Sequence, residues 1–300
     1  ITSNLGRVDN TGFEISLNSL NIDKQNFRWS TTFNFSYNKN EIKHLYYQYE
    51  DVLDAGGNVI GRKEMDDTKN NWFIGQPISA IWDYKVTGIW QKDEYKEAAK
   101  YGQVPGDPKV KNSYTGDDIV NPDGTTTPVY NDRDKEFLGQ TSPPVNWSIR
   151  NEFTFWKDLT VSFNIYSKMG HKSLANEYLN DDDDGGRTTY ALQNVAKKKY
   201  WTIDNPTNKY GRIEAQGPTG TSSPGKIYDR TFIRLENISI GYTLPKKWTS
   251  RFDVDRVEVY GSIRNVAVWA KDWEYGDPEV KFAPGDGNGL SNRVYSIGLN

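Results

Sequence analysis

The sequence contains no cysteine and no long apolar run. The absence of cysteine excludes disulfide bonds and thiolate chemistry, although it sets no firm limit on the compartment. No apolar segment approaches the roughly 20 residues that a membrane-spanning helix needs, so only a closed barrel could carry this chain across a bilayer. Acidic and basic residues are interspersed and the net charge is only −3, so the basic footprint of a nucleic-acid-binding protein is missing.

What the sequence does contain is a set of long segments in which apolar and polar residues alternate. Successive side chains of a β-strand point to opposite faces, so each such segment predicts a strand with one apolar and one polar face. The pattern is clear in 27–38 and returns in 147–155 and 159–165. In the first of these, one face would carry Phe27, Trp29, Thr31, Phe33, Phe35 and Tyr37.

Aromatic residues are abundant for a chain in which only 35% of the residues are hydrophobic. They reach 14%, with 10 Trp and 19 Tyr, whereas a soluble core would draw mainly on Leu, Ile and Val. A barrel needs only every second strand residue to be apolar, and it collects Trp and Tyr at the two membrane interfaces. The composition therefore favours a barrel, although a secreted β-rich glycan-binding module or hydrolase would show the same aromatic surplus.

Eight segments show strand character, and two kinds of connection join them. The predicted strands are 12–20, 27–38, 81–91, 146–155, 159–168, 232–243, 254–269 and 293–300. Short connections contrast with long ones rich in Gly, Asp, Asn and Pro, at 44–79, 92–145, 169–230 and 270–292. Short turns on one rim and long loops on the other are typical of outer-membrane barrels. The predicted fold class is all-β, an antiparallel transmembrane β-barrel with long extracellular loops.

Two details of this strand assignment can be checked directly. In 232–243 the apolar residues change phase around Glu236 and Asn237, which predicts a β-bulge there. Eight strands also place the short turns 21–26 and 156–158 on opposite rims. We expect either a further strand within 106–118, the preferred solution, or a short loop on the outer side.

Six stretches carry motifs that are weak singly but informative in their order. They are VDNTGFE at 8–14; FRW at 27–29 with NFSYNKN at 34–40; IGQPI at 74–78 with GIW at 88–90; GD at 106–107 with FLG at 137–139 and PP at 143–144; FIRLEN at 232–237 with GYTLP at 241–245; and NVAVW at 265–269 with DPEV at 277–280. In this order they resemble the C-terminal part of the SusC/RagA family of TonB-dependent outer-membrane transporters. The resemblance spans nearly the whole chain.

The resemblance implies a location, partners and a mechanism for a larger protein. Residues 1–300 would form the C-terminal portion of a large antiparallel transmembrane β-barrel of the TonB-dependent receptor type, and the N-terminal domain, the plug and the first barrel strands would lie outside this chain. The location implied is the outer membrane of a Gram-negative, Bacteroidetes-like cell. The partners implied are membrane lipid, TonB through the plug region, and a SusD-like surface lipoprotein that acts as a lid. The family imports oligosaccharides or oligopeptides, so no enzymatic activity is expected.

The ends of the chain fit this interpretation. The sequence begins at Ile1 without an initiator methionine, and it stops inside an alternating segment. We therefore interpret it as a fragment of a longer protein. A passive structural or adhesive barrel would show the same strand pattern, but it would have neither a plug upstream nor a lid partner.

An acidic stretch in the connection 92–145 is a candidate metal site. Ca²⁺ takes several oxygen ligands from Asp, Asn and backbone carbonyls, and glycine permits the sharp turn of such loops. The candidate ligands are Asp117, Asp118, Asn121, Asp123, Asp132 and Asp134. The family often has a more compact acidic loop here, whereas residues 125–130 separate the last two acids from the others in this chain. A solvated loop is therefore favoured, with bound Ca²⁺ as the alternative.

No set of catalytic residues stands out. His44 and His171 are the only histidines, and neither accompanies the sequence pattern of a serine nucleophile. Aromatic residues in or beside the long loops are instead the predicted substrate contacts, because flat rings stack on sugars and pack on peptide side chains. These residues are Trp72, Tyr178, Tyr190, Trp201, Trp273 and Tyr275. For any single one of them, packing between loops or a place in the interface girdle is the competing interpretation.

Overall fold

A computed structural model describes residues 6–175, 199–213, 215–219, 221, 226–273, 277–279 and 291–300. The strands within these ranges are, in chain order, β1 (Arg7–Lys24), β2 (Phe27–His44), β3 (Tyr49–Leu53), β4 (Val59–Glu64), β5 (Ala80–Tyr84), β6 (Val86–Ile89), β7 (Pro108–Val110), β8 (Ile119–Val120), β9 (Thr126–Thr127), β10 (Lys135–Gln140), β11 (Val145–Phe155), β12 (Leu159–Met169), β13 (Lys172–Ala175), β14 (Lys226–Asp229), β15 (Phe232–Thr243), β16 (Glu258–Ala270) and β17 (Val294–Leu299). The helices are α1 (Tyr95–Lys100), α2 (Lys246–Thr249) and short 3-10 turns at Lys92–Glu94, Asp132–Asp134 and Ser250–Phe252. Among the described residues, no helix has the length and apolar character needed to cross a membrane.

Seven strands form one large antiparallel sheet in the order β1-β2-β11-β12-β15-β16-β17. Within the described part of the chain, β1 and β17 each pair on one side only, so the sheet is not closed. The predicted all-β class is confirmed, and an open sheet is what part of a barrel should show. Strand β15 has the predicted bounds, and the other six overlap their predicted segments.

The register of the sheet places the apolar sides of all seven strands on one face, here called the apolar face. Phe33 of β2 lies between Leu17 of β1 and Ile149 of β11, and Ile149 lies opposite Ile165 of β12. The other side, here called the polar face, carries mainly serine, threonine, asparagine and charged residues, together with Tyr166. Many side chains of the apolar face are exposed, and Ile297 of β17 is 89% exposed. A contiguous apolar surface of this kind needs lipid or protein to cover it.

The segment 81–91 does not join this sheet, so its prediction as a barrel strand was wrong. It folds instead as β5 and β6, which pair with β10 and β7. The further strand preferred within 106–118 was wrong as well, because β7 is a short strand that pairs only with β6 in the described part of the chain. The segment alternates because Tyr84 packs with Val110 and Tyr130 in a separate small core.

Because 81–91 is not a barrel strand, the short turns 21–26 and 156–158 no longer fall on opposite rims. With seven strands, the short connections 25–26, 156–158 and 244–257 all leave from one end of the sheet, here called the short-turn rim. The long connections leave from the other end. Backbone hydrogen bonds join neighbouring turns of the short-turn rim, from Trp156 N–H to Asn26 O at 2.9 Å and from Thr243 N–H to Asp158 O at 2.8 Å.

The predicted β-bulge in β15 is confirmed. Leu235 and Asn237 pair with consecutive residues of β12, which leaves Glu236 as the additional residue. The register also shifts on the other side, where Leu235 lies opposite Ala267 and Asn237 lies opposite Arg264. A bulge of this kind bends the strand and redirects side chains.

The hairpin β3–β4 is attached at its base to the end of β2. Glu64 Oε1 accepts hydrogen bonds from Leu45 N–H at 2.9 Å and Tyr47 N–H at 2.8 Å. Glu64 Oε2 lies 2.9 Å from Nδ1 of His44, the last residue of β2. Three contacts to one carboxylate therefore fix the hairpin to the strand.

The chain divides into two compact units. The first comprises Ile1–Ile78, Ser142–His171 and Asp229–Asn300 and holds the seven-stranded sheet and the hairpin β3–β4. The second comprises Ser79–Thr141 and Lys172–Tyr228. In sequence, the second unit is inserted between β2 and β11 and again between β12 and β15.

A buried carboxylate organises the second unit. Asp107 Oδ1 accepts hydrogen bonds from Arg212 Nε at 2.8 Å and from Gln216 N–H at 3.0 Å. Its Oδ2 accepts from Val104 N–H at 2.9 Å. Asp107 is buried, and these donors compensate for its removal from water. The carboxylate thereby joins two segments that lie more than 100 residues apart.

Candidate functional site

The polar face of the seven-stranded sheet carries the candidate site. Its side chains form hydrogen-bonded rows across neighbouring strands. Ser16 Oγ donates to Asn34 Oδ1 at 2.8 Å, and Asn34 Nδ2 donates to Ser148 Oγ at 3.3 Å. Farther along the sheet, Asn164 Nδ2 donates to Glu236 Oε2 at 2.6 Å. These rows present amides, hydroxyls and carboxylates, groups that can exchange hydrogen bonds with a polar solute.

Arg234 of β15 is the centre of a buried charged cluster on this face. The residue is 4% exposed. Its Nη1 donates to Asn265 Oδ1, its Nη2 donates to Asp277 Oδ1, and its Nε lies 3.3 Å from Glu279 Oε2. Since Asp277 is buried as well, the guanidinium and the carboxylate are paired away from water. Removal of one partner would leave an uncompensated buried charge.

The cluster holds residues 277–279 of the β16–β17 connection against the polar face. Arg230 Nε donates to Pro278 O at 2.9 Å. Lys168 Nζ lies 2.7 Å from Glu279 Oε1, and the Tyr166 hydroxyl donates to the same carboxylate. This part of a long connection is therefore attached to β12 and β15 by side chains from both strands.

Two local irregularities position these groups. The bulge allows Arg234, Glu236 and Asn237 all to contribute to the polar face. Asn265 has φ 56, in the left-handed region that Asn tolerates better than most residues. Its Nδ2 donates to Ser291 O at 2.8 Å. Asn265 thus links Arg234 to the point where the connection approaches β17.

Two open concavities border this cluster. One has a volume of about 340 Å³ and the other about 440 Å³, and both are lined by Glu236 and Arg264. The smaller also contains Arg234 and Glu279, and the larger contains Arg150. Arg264 is exposed and has no ion pair among the described residues. Charges of both signs therefore lie beside amides and hydroxyls at one place on the sheet.

Burial acts on two titratable groups beside the cluster. Burial alone would raise the pKa of Asp277, but hydrogen bonds from Ser291 Oγ, Glu279 N–H and Arg234 hold that pKa below its usual value. Burial of His171, reinforced by the positive charge of Arg230, lowers the pKa of its imidazole to about 4. At neutral pH Asp277 is therefore charged and His171 is neutral.

Three of the six aromatic residues predicted to contact substrate lie in the described part of the chain. Trp72 is half-buried. Trp201 is buried in the second unit, where its Nε1 donates to Gln91 Oε1 at 3.0 Å. Trp273 is buried with the Arg230 guanidinium 4.9 Å from its ring centre. The others, Tyr178, Tyr190 and Tyr275, lie outside the described residues. Substrate contact by this set stays a prediction.

The six residues predicted as metal ligands are engaged in contacts within the second unit. Asp134 is fully buried and accepts hydrogen bonds from Ser113 N–H at 3.0 Å, Tyr114 N–H at 2.9 Å and Asn131 N–H at 3.0 Å. Asp132 lies 2.9 Å from Lys135 Nζ. The Asp134 carboxylate therefore holds residues 131–134 against Ser113 and Tyr114.

The other four predicted ligands cap turns or pair with neighbouring side chains. Asp118 accepts from Asn112 Nδ2 and Val129 N–H, Asp117 from Asn131 Nδ2, and Asp123 from Thr125, whereas Asn121 donates to Thr125 and Thr127. Across the described ranges, no group of three or more His, Cys, Asp or Glu side chains could hold a metal ion. Ca²⁺ binding in this loop stays a prediction.

The residues of the Arg234 cluster were not predicted from the sequence as functional residues. The motifs at 232–237, 265–269 and 277–280 contain Arg234, Asn265 and Asp277, but 43 residues separate Arg234 from Asp277. The available signal was an arginine on the polar side of a strand together with an acidic pair in a long connection. These features point to Arg234 and Asp277 as candidates, but they do not show that the two side chains pair with each other.

No family model matches the chain, but curated TonB-dependent receptors do. Two of them come from Formosa agariphila. TonB-dependent receptor P3 is 25% identical over 99% of this chain and 29% of the receptor, and TonB-dependent receptor P26 is 27% identical over the same shares. TonB-dependent receptor SusC of Bacteroides thetaiotaomicron is 23% identical over 94% of this chain and 25% of the receptor. The chain thus spans less than a third of the length of these relatives.

Solved structures of the RagAB transporter have the same fold. One, of the RagAB peptide transporter, matches with a TM-score of 0.67 and 21% identity over 98% of this chain and 29% of that chain. Another, of the RagAB peptide importer in its closed-closed state, matches with a TM-score of 0.61 and 20% identity over the same shares. The seven-stranded sheet is thus a partial barrel of the TonB-dependent receptor type. Over nearly its whole length this chain is similar to TonB-dependent receptors, and the resemblance to SusC and RagA transporters expected from its motifs is confirmed.

Proposed function

We propose that this chain is the C-terminal part of the barrel of a TonB-dependent outer-membrane importer. The observation that carries the proposal is the open seven-stranded sheet with one exposed apolar face and one polar face. In an outer-membrane barrel the apolar face contacts lipid and the polar face lines the lumen. The free edges of β1 and β17 would pair with further strands of the same polypeptide.

The substrate we propose is an oligosaccharide or an oligopeptide. Its contacts would include the two concavities on the polar face, because Arg264 and Glu236 offer charges of both signs beside hydroxyls and amides. RagAB is named as a peptide transporter, which favours a peptide substrate. The name of SusC does not indicate a substrate class. The activity proposed is transport and not catalysis, in keeping with relatives that are named as receptors and transporters.

The partners we propose are a SusD-like surface lipoprotein, which would act as the lid, and TonB, which would supply energy through the plug. The TonB partner is supported by the likeness of this chain to TonB-dependent receptors, and the SusD-like lid is proposed from the resemblance of its motifs to the SusC/RagA family. A secreted glycan-binding module is less consistent with the sheet, because residues such as Ile297 and Leu299 would then be exposed to water.

The test is extraction of the native protein from the outer membrane in mild detergent, followed by intact masses of every component. A polypeptide much longer than this chain, together with a lipidated partner, is the expected result. A water-soluble species of the size of this chain, without a partner, would contradict the proposal.

A further inference from the structure

The turn between β11 and β12 has a backbone conformation that its residues do not favour. Asp158 N–H donates to Phe155 O at 3.1 Å and closes a four-residue turn with Trp156 and Lys157 at its centre. Their φ angles are 50 and 69. Two consecutive positive φ angles are characteristic of a type I′ turn, for which Asn-Gly is the favoured pair. A bulky L-residue is strained in this region, so the sequence places two unsuitable residues at this turn.

Packing does not explain why these residues occupy the turn. Trp156 is 64% exposed although its side chain is large and apolar. Lys157 is exposed too, and no ion pair holds it among the described residues. Strained residues whose side chains project outward are a reason to look for a ligand or a surface that they contact.

The indole of Trp156 continues an aromatic band on the apolar face. Its ring centre lies 5.9 Å from that of Phe155, which lies 5.2 Å from that of Phe27. The ring of Phe153 follows at 6.4 Å from Phe27, and Trp29 lies 5.8 Å from Phe153. Trp side chains favour the level of the lipid headgroups, where one part of the ring is apolar and the other can be hydrated. The turn therefore lies where the apolar face meets water.

A second connection of the short-turn rim repeats this combination. Helix α2 contains Lys246, Lys247 and Trp248, and Trp248 is 57% exposed. The helix follows Pro245, whose carbonyl accepts a hydrogen bond from Trp248 N–H at 2.8 Å. Two connections on one rim thus each present an exposed indole next to at least one lysine.

We propose that Trp156 and Lys157, together with helix α2, form a binding surface for anionic phospholipid headgroups. The ammonium groups of Lys157 and Lys247 would pair with headgroup phosphates and the indoles would lie among the headgroups, whereas Lys246 lies 3.8 Å from Asp255 Oδ1. The proposal rests on the proposed function, because it requires lipid on the apolar face. Lipid is favoured over a protein partner, because the indole of Trp156 is continuous with the face that lipid would cover and the neighbouring lysine complements anionic phosphate.

The test uses the full-length protein in neutral detergent, titrated with phosphatidylglycerol and monitored by native mass spectrometry. The double variant Trp156→Asn/Lys157→Gly installs the pair that the turn favours. We expect its melting temperature to rise by a few degrees, because strain is relieved. We expect its apparent affinity for phosphatidylglycerol to fall about fivefold or more, the effect of one lysine at an anionic surface. If the turn had only a structural role, the double variant would gain thermal stability without losing affinity for phosphatidylglycerol.

A matched control removes one lysine and one exposed apolar residue from the hairpin β3–β4. The variant Ile60→Asn/Lys63→Gln should keep the wild-type affinity for phosphatidylglycerol. A second variant, Lys157→Gln, leaves the indole in place and should show about the same fivefold loss even if the double variant fails to fold. Wild-type affinity in the Lys157→Gln variant, or an equal loss in the control, would overturn the lipid site. Absence of the wild-type protein from the outer membrane would instead refute the proposed function.

Discussion

Arg234 of β15 and Asp277 of the β16–β17 connection form an ion pair in which the side chains are only 5% and 4% exposed. The removal of both charges from water offsets much of their attraction. We infer that the pair contributes less to net stability than to position, since it determines where residues 277–279 lie on the polar face. A concavity lined by Arg234 and Glu279 depends on this placement.

Replacement of Arg234 by methionine should be strongly destabilising. Asp277 would remain buried without its counter-ion, at a cost of about 3–5 kcal/mol. The free energy of unfolding in detergent should fall by that amount, and residues 277–279 should become more sensitive to protease. The double variant Arg234→Met/Asp277→Asn should lose less than the sum of its two single variants.

The control for this prediction is Arg264→Met. Arg264 is exposed on the same face and has no ion pair among the described residues, so its loss should change stability by less than about 0.5 kcal/mol. Equal effects of the two arginine variants would contradict the central position of Arg234.

Asn265 should tolerate glycine better than alanine. Both substitutions remove the side chain that connects Arg234 to Ser291 O, but only alanine places a Cβ on a residue with φ 56. Asn265→Ala should therefore be less stable than Asn265→Gly by about 1–2 kcal/mol. Thermal unfolding of the two variants side by side measures the difference, and a more stable alanine variant would disprove the role of the left-handed backbone.

In the second unit, Asp134 should matter far more than its neighbour Asp132. Asp134→Ala would leave the N–H groups of Ser113, Tyr114 and Asn131 without their acceptor, at a cost of at least about 2 kcal/mol. Hydrogen exchange of residues 113–114 should become faster. Asp132→Ala removes only an exposed ion pair and should leave that exchange nearly unchanged. Comparable exchange in both variants would contradict this difference.

His171 should make stability depend on pH below the ordinary pKa of histidine. Folding lowers the pKa of this buried base from 6.5 to about 4. The contribution of neutral His171 to the free energy of unfolding is therefore complete above pH 6.5. It is lost as the pH falls from 6.5 towards 4, because the imidazole is protonated first in the unfolded chain. At about pH 5 the loss is about 2 kcal/mol. Unfolding midpoints at pH 7 and pH 5 should differ less for His171→Asn than for the wild type, and parallel losses would contradict the assignment.

The two faces of the sheet were predictable from the sequence because the period of a strand is a local property. The alternation in 27–38 and the phase change at Glu236 both appear in the structure where they were expected. Alternation shows only that a strand has two environments, and it does not identify the sheet that the strand joins. For this reason 81–91, which alternates as clearly, was wrongly assigned to the barrel.

The candidate site was less predictable, because it depends on contacts between distant residues. The motifs contained Arg234 and Asp277, but nothing local indicates that a long connection returns to β15. In the same way, Asp134 looked like a metal ligand by composition, whereas its carboxylate accepts backbone hydrogen bonds from a segment 20 residues away.

The most direct test of the two-faced sheet compares two adjacent residues of β11. Ile149 lies on the apolar face opposite Phe33 and Ile165, and Ser148 lies on the polar face opposite Asn34 and Tyr166. An arginine facing lipid near the bilayer midplane costs about 2–4 kcal/mol, whereas an arginine facing a water-filled lumen is tolerated.

The measurement is the amount of folded full-length protein in the outer-membrane fraction of cells that produce Ile149→Arg or Ser148→Arg. We predict that Ile149→Arg is depleted and that Ser148→Arg accumulates to nearly the wild-type level. Equal accumulation of the two variants, or depletion of Ser148→Arg alone, would contradict a sheet with lipid on one face and water on the other.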